Sequence, residues 1–152
     1  MNKILINSTP LFLFLLLVNF TKCKSDDSTN FRQPWEQINI RLDGQMITIF
    51  RQKGYPVYSR ILTPKDTTQD FVLADEQKDS IYNIVYDLIK NPVTPEHYVN
   101  AGVADNVTFS INYKQVDLSA DYKYLKSWRD LSDKTNTLYS ILSRKIKFVR
   151  QL

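Results

Sequence analysis

Most catalytic sites are assembled from histidine, cysteine, serine and carboxylate side chains held within hydrogen-bond reach of one another. This chain carries one histidine, His97, and it follows Glu96 in a loop stretch just after Pro92 and Pro95. A loop histidine beside an acid has the chemistry of a general base, and loops often carry function. A lone loop histidine is more often surface decoration. No serine sits in a nucleophile elbow. No His, Cys, Asp or Glu set has zinc spacing, and Asp117, Asp121, Asp130 and Asp133 do not follow a calcium-loop pattern. Three glycines in the whole chain could hardly build a phosphate cradle. Neither metal nor cofactor is expected. Asp75, Glu76 and Asp79 would pass for paired carboxylates, but they are better explained by the start of a helix.

The tyrosines give the positive surface signal. Tyr55, Tyr58, Tyr98, Tyr122 and Tyr124 fall in or beside turns and strands. Tyrosine is enriched where proteins or sugars are gripped; its plainer role is to plug sheet edges and helix–sheet gaps. Tyr55, Tyr58, His97 and Tyr98 are the candidate binding surface, for a protein or a glycan.

The elements that must position these residues are legible from periodicity. Ile38, Ile40 and Leu42 alternate with polar residues, Asp43-Gly44 supplies a hairpin turn, and Ile47 and Ile49 alternate on the return. A two-residue loop sets Ile40 opposite Ile47 and Ile38 opposite Ile49, so pattern and turn agree on register. Val57 to Leu62 is β-capable, residues 63–70 read as a polar loop, and Phe71-Val72-Leu73 as a short strand or a staple onto a helix. Asp75 is the expected cap of that helix. Ile81, Ile84, Val85, Leu88 and Ile89 form its apolar stripe, and Asn91-Pro92 stops it. Residues 92–106 read as irregular. Val107, Phe109, Ile111 and Tyr113, then Val116, Leu118, Ala120 and Tyr122, alternate as a second hairpin. A loop at Lys114-Gln115, two residues or one longer, sets Ile111 opposite Leu118. Ser132 is the expected cap of a last helix, whose stripe is Leu138, Ile141, Leu142, Ile146 and Val149. The fold class is α+β: a two-layer sandwich, with an antiparallel sheet of two hairpins and two helices on one face.

Ahead of this domain, Lys3 is followed by an apolar run from Leu11 to Phe20, interrupted by Asn19. About ten apolar residues are too few for a bilayer span, which needs roughly 20; a basic start and a short apolar core suit a secretory signal peptide. Cys23, the only cysteine, cannot form an internal disulfide. Leu15 to Cys23 resembles the end of a bacterial lipoprotein signal, and Cys23-Lys24-Ser25-Asp26-Asp27 resembles the start of mature Bacteroidota lipoproteins. Lys22 precedes the cysteine, where that class usually carries a small residue. The resemblance implies a thioether-linked diacylglycerol on Cys23, often with an amide-linked chain such as palmitate. It also implies an export signal for the cell surface at Lys24, Asp26 and Asp27. Two or three chains anchor firmly where one is marginal.

The chain therefore divides into a signal peptide over 1–22, a polar flexible tether over 23–34 and a single α+β domain over 35–152. Net charge is +4 for the whole chain; loss of Lys3 and Lys22 with the leader lowers it to +2, too weak a bias for nucleic acid. The basic run Arg144-Lys145-Lys147-Arg150 reads as a solvated helix face. The expected function is a lipid-anchored, non-catalytic outer-membrane module, facing the cell surface or the periplasm, in an inhibitor, immunity or assembly role. The alternative is an envelope hydrolase using His97 with a nearby acid. A third reading is a structural envelope protein whose sheet edge pairs with a partner strand.

Overall fold

Ile38 and Ile40 are fully buried because the hairpin that starts at Gln37 gives them a matching face. In the computed structural model, which describes residues 34–62, 66–95, 99–100, 102 and 104–149, strands β1 (Gln37–Leu42) and β2 (Gln45–Phe50) pair antiparallel. Ile38 lies opposite Ile49 and Ile40 opposite Ile47. Gly44 takes the positive φ of the turn, +74°. Cys23, Lys24, Asp26, Asp27, His97 and Tyr98 lie outside the described residues.

The sheet is larger than two hairpins. β3 (Val57–Ile61) pairs with β2, and β4 (Thr67–Phe71) pairs with β3, both antiparallel. The second half of the polar stretch expected as a loop, Thr67 to Asp70, is therefore strand, while residues 63–65 lie outside the described residues. Its residues do not alternate because β4 is an edge strand, with Thr67 to Asp70 all exposed. Arg60 forms an ion pair with Asp66 just ahead of it.

Helix α1 spans Asp75–Lys90 and ends before Asn91-Pro92. Its cap is Ala74, not Asp75. Ala74 is extended, and its backbone N–H donates to Gln77 Oε1 at 3.0 Å. Asp75 and Glu76 instead occupy the first turn, where the exposed helix N–H groups favour negative charge. Ile81, Val85 and Leu88 are fully buried, and Ile84 and Ile89 are partly so.

β5 (Asp105–Tyr113) and β6 (Val116–Leu125) form the second long hairpin. Tyr113 pairs with Val116, so the loop is the two residues Lys114 and Gln115. Ile111 faces Leu118 and Phe109 faces Ala120. Lys114 adopts φ +53°, which costs a non-glycine residue about 1 kcal/mol. β5 begins at Asp105, inside the stretch expected to be irregular. Asp43 Oδ2 accepts from both the backbone N–H and Nδ2 of Asn106, at 3.0 and 2.7 Å, and ties that end to the first turn. The ladder is irregular there, and Tyr124, at φ +61°, donates its N–H to Asn106 Oδ1.

β5 also pairs antiparallel with β1, giving one sheet in the order β4-β3-β2-β1-β5-β6. After a 3-10 turn at Trp128–Leu131, helix α2 runs over Asp133–Ser143. Ser132 caps it as expected: its Oγ accepts from Thr135 N–H, and Thr135 Oγ1 accepts from Ser132 N–H. The helix is shorter than its apolar stripe predicts. Ile146 and Val149 lie beyond Ser143, and so do Arg144, Lys145 and Lys147 of the basic run expected on a helix face; Arg150 lies outside the described residues. Gln45, fully buried on β2, holds this tail. Its Nε2 donates to Lys147 O at 3.0 Å and its Oε1 accepts from Val149 N–H at 3.1 Å. Those bonds satisfy backbone groups that leaving the helix would otherwise strand.

Both helices cover the face made by Ile38, Ile40, Ile47, Ile49, Val107 and Phe109, and Leu138 and Leu142 of α2 complete the core. Fully burying one such side chain contributes about 1.5–3 kcal/mol. The fold is an open six-stranded antiparallel sheet backed by two helices, an α+β sandwich.

Candidate functional site

Alternation sends the polar residues of each strand to the face away from the helices. On that open face the register brings Gln37 and Asn39 of β1 beside Asn112 of β5 and Thr48 of β2. Their side chains interlock. Asn39 Oδ1 accepts from Gln37 Nε2 at 2.7 Å and from the Thr48 hydroxyl at 3.1 Å, while Asn39 Nδ2 donates to Asn112 Oδ1 at 3.0 Å. Thr48 is fully buried, and its hydroxyl hydrogen is spent on Asn39. These bonds fix the plane of each amide. They leave Asn112 Nδ2, one hydrogen of Asn39 Nδ2 and Gln37 Oε1 without a bond among the described residues.

The amides form the floor of a groove of about 790 Å³ at the end of the sheet where β1 begins. Trp35 walls it. This ring is 3 % exposed and stacks on Tyr82 of α1, centroids 5.6 Å apart and planes 6° apart. Arg51 lies over the Trp35 ring at 6.0 Å, which places a cation against the ring at the rim. Across the groove, Phe50 supports Tyr55 at 5.6 Å. Tyr55 is 52 % exposed. Glu36 and Lys114 complete the rim, with Glu36 Oε2 accepting from the Lys114 backbone N–H at 3.1 Å.

Helix α1 supports the groove from behind. Lys78, buried on α1, donates from Nζ to Phe50 O at 2.9 Å. Burial pushes the Tyr82 hydroxyl above its usual pKa, with the neighbouring Tyr86 adding to the shift and Arg51 opposing it. Tyr82 therefore stays neutral beneath the groove at ordinary pH.

Two of the four residues expected on a binding surface come together here. Tyr55 and Tyr58 both pack on Phe50, at 5.6 and 6.2 Å, and Tyr55 lines the groove. Tyr58 faces the same open side, opposite Thr48. His97 and Tyr98 lie outside the described residues. Tyr122 has the plainer role: it is buried, and its hydroxyl donates to Leu88 O at 2.8 Å. Gln37, Asn39, Asn112, Trp35 and Arg51 were not expected in a site. The alternation in β1 and β5 does place the three amides on the outward face, but nothing local in sequence puts the two strands side by side.

A second depression, of about 550 Å³, lies between Val93–Pro95 and the 3-10 turn with the start of α2. Among the described residues no group of three or more His, Cys, Asp or Glu side chains is placed to hold a metal ion. No helix among them is long and apolar enough to cross a membrane. Comparison with protein-family models, with curated proteins and with solved structures gave no match for this chain.

Proposed function

We propose that the protein is a lipid-anchored, non-catalytic envelope lipoprotein that works as a binding or protective module. Residues 1–22 act as its signal, diacylglycerol on Cys23 anchors it in the outer membrane, and the tether holds the domain off the lipid. The observation that carries the binding role is the groove. The polar groups of its floor are neutral amides locked by one another, and an exposed tyrosine stands beside them. Such a lining recognises; no nucleophile is paired with a base in it. The anchor rests on the lipoprotein-like stretch Leu15 to Asp27 alone. Mass spectrometry of the native protein's N-terminal peptide tests it: the expected species begins at acylated Cys23. A chain beginning at Met1 with a free thiol ends the anchored reading.

A second reading is favoured by β6. It is a ten-residue strand at the end of the sheet, and Val116 and Leu118 are 56 % and 37 % exposed on it. A long edge of this kind suits pairing with a partner strand. A photo-crosslinker at Ser119 is expected to capture an envelope partner in cells if the edge is used. Absence of any crosslink there removes this reading.

A further inference from the structure

We propose that the groove on the open sheet face is a carbohydrate site, taking a neutral saccharide whose hydroxyls bond the amides and whose C–H face lies on Tyr55. This deepens the binding-module reading and rests on it.

The lining selects the ligand class by elimination. Sugar hydroxyls both donate and accept, and so do carboxamides. In the groove floor Asn112 Nδ2 offers donors while Gln37 Oε1 offers an acceptor, and their bonds to Asn39 hold them in place. An apolar ligand would bury those groups without partners, which is costly. A nucleic acid or polyanion needs several cations tracking its charges. The rim has two cations, Arg51 and Lys114, but Arg51 lies 6.0 Å over Trp35, Lys114 Nζ sits over Tyr113 at 5.2 Å, and Glu36 places a carboxylate beside them. A neutral polyhydroxylated ligand meets the amides without meeting that carboxylate as a like charge.

Shape and rigidity agree. The volume of about 790 Å³ lies within the roughly 300–1,000 Å³ of small-ligand sites. Tyr55 offers a large face with few rotatable bonds, so holding a ring against it loses little side-chain entropy. Phe50 supports that ring from one side and is itself fixed by Lys78 through its carbonyl oxygen.

The test is a glycan array printed with neutral and anionic oligosaccharides, probed with the full chain in detergent. Titration calorimetry on the bound sugars follows. Binding to neutral oligosaccharides is expected. Tyr55→Ala and Asn112→Ala should each weaken it tenfold or more, while Tyr55→Phe retains it. Tyr55 is exposed, so its variants fold even if Asn112→Ala does not. Binding only to anionic glycans, no binding on the array, or affinity unchanged in Tyr55→Ala would each overturn the proposal. A protein partner crosslinked from Tyr55 in envelope extract would end the carbohydrate assignment and leave the binding-module reading standing. No ligand on the array and no crosslink would sink both.

Discussion

Lys78 of α1 reaches 2.9 Å from its Nζ to the carbonyl oxygen of Phe50, the last residue of β2. The lysine is buried at 7 % exposure, and its Nζ donates to a backbone acceptor at the end of a strand. This bond joins the helix layer to the edge of the groove. It holds Phe50, against which Tyr55 and Tyr58 pack.

Lys78→Met keeps the apolar stem and removes the bond. A hydrogen bond to a charged group is worth about 1.5–3 kcal/mol, and the methionine recovers part of that through packing. The variant should lose about 1–2 kcal/mol of stability, read as a lower urea midpoint at unchanged slope. An unaltered midpoint would show that the bond contributes nothing.

Gln45 should matter more than its surface-residue type suggests. Its side chain is fully buried and bonds Ser59 Oγ at 2.7 Å, Lys147 O and Val149 N–H. Gln45→Leu leaves those groups without partners, at a cost of about 2–3 kcal/mol. Hydrogen exchange at the Val149 amide should accelerate far more than at Ile40. Equal acceleration at both would mean that the tail is held by other contacts.

Alkaline stability follows from two tyrosines. Burial is the main cause that raises the pKa of both Tyr82 and Tyr122 above 10.0. The unfolded chain then releases these protons first, so stability is complete below about pH 10 and falls as pH rises through the folded-state values. Tyr82→Phe should flatten that fall in a series of urea melts between pH 9 and 11. A slope equal to the wild type would remove Tyr82 as a contributor.

Acid stability involves the contact between the helices. Lys134 Nζ of α2 bonds Asp87 Oδ2 of α1 at 2.6 Å, and that bond, with a second from Asn91, lowers the Asp87 pKa. The folded state gains from this above the unfolded value of 3.8, and the gain disappears as pH falls through the lowered folded value. The pair is solvent-accessible, so it is worth less than about 1 kcal/mol. Lys134→Met should raise the Asp87 carboxyl titration midpoint followed by NMR. An unchanged midpoint would mean that the pair does not persist in solution.

The sequence by itself determined the local pairings and the buried faces. Asp43-Gly44 with alternating isoleucines allowed one register for β1 and β2, since a shift by one residue would send every isoleucine into water. The same logic set Ile111 against Leu118, and the spacing from Ile81 to Ile89 made α1 a one-sided helix. Tertiary structure decided the rest. β4 has no alternation to read, because an edge strand with both faces wet needs none. The apolar period ran past Ser143, but Gln45 offers the tail backbone partners that end the helix. The site lay furthest from view. Period-two alternation tells which face Asn39 and Asn112 occupy, but not that β5, 73 residues on, lies beside β1. Side-chain period is a property of one strand; strand order depends on how all the apolar faces are buried together.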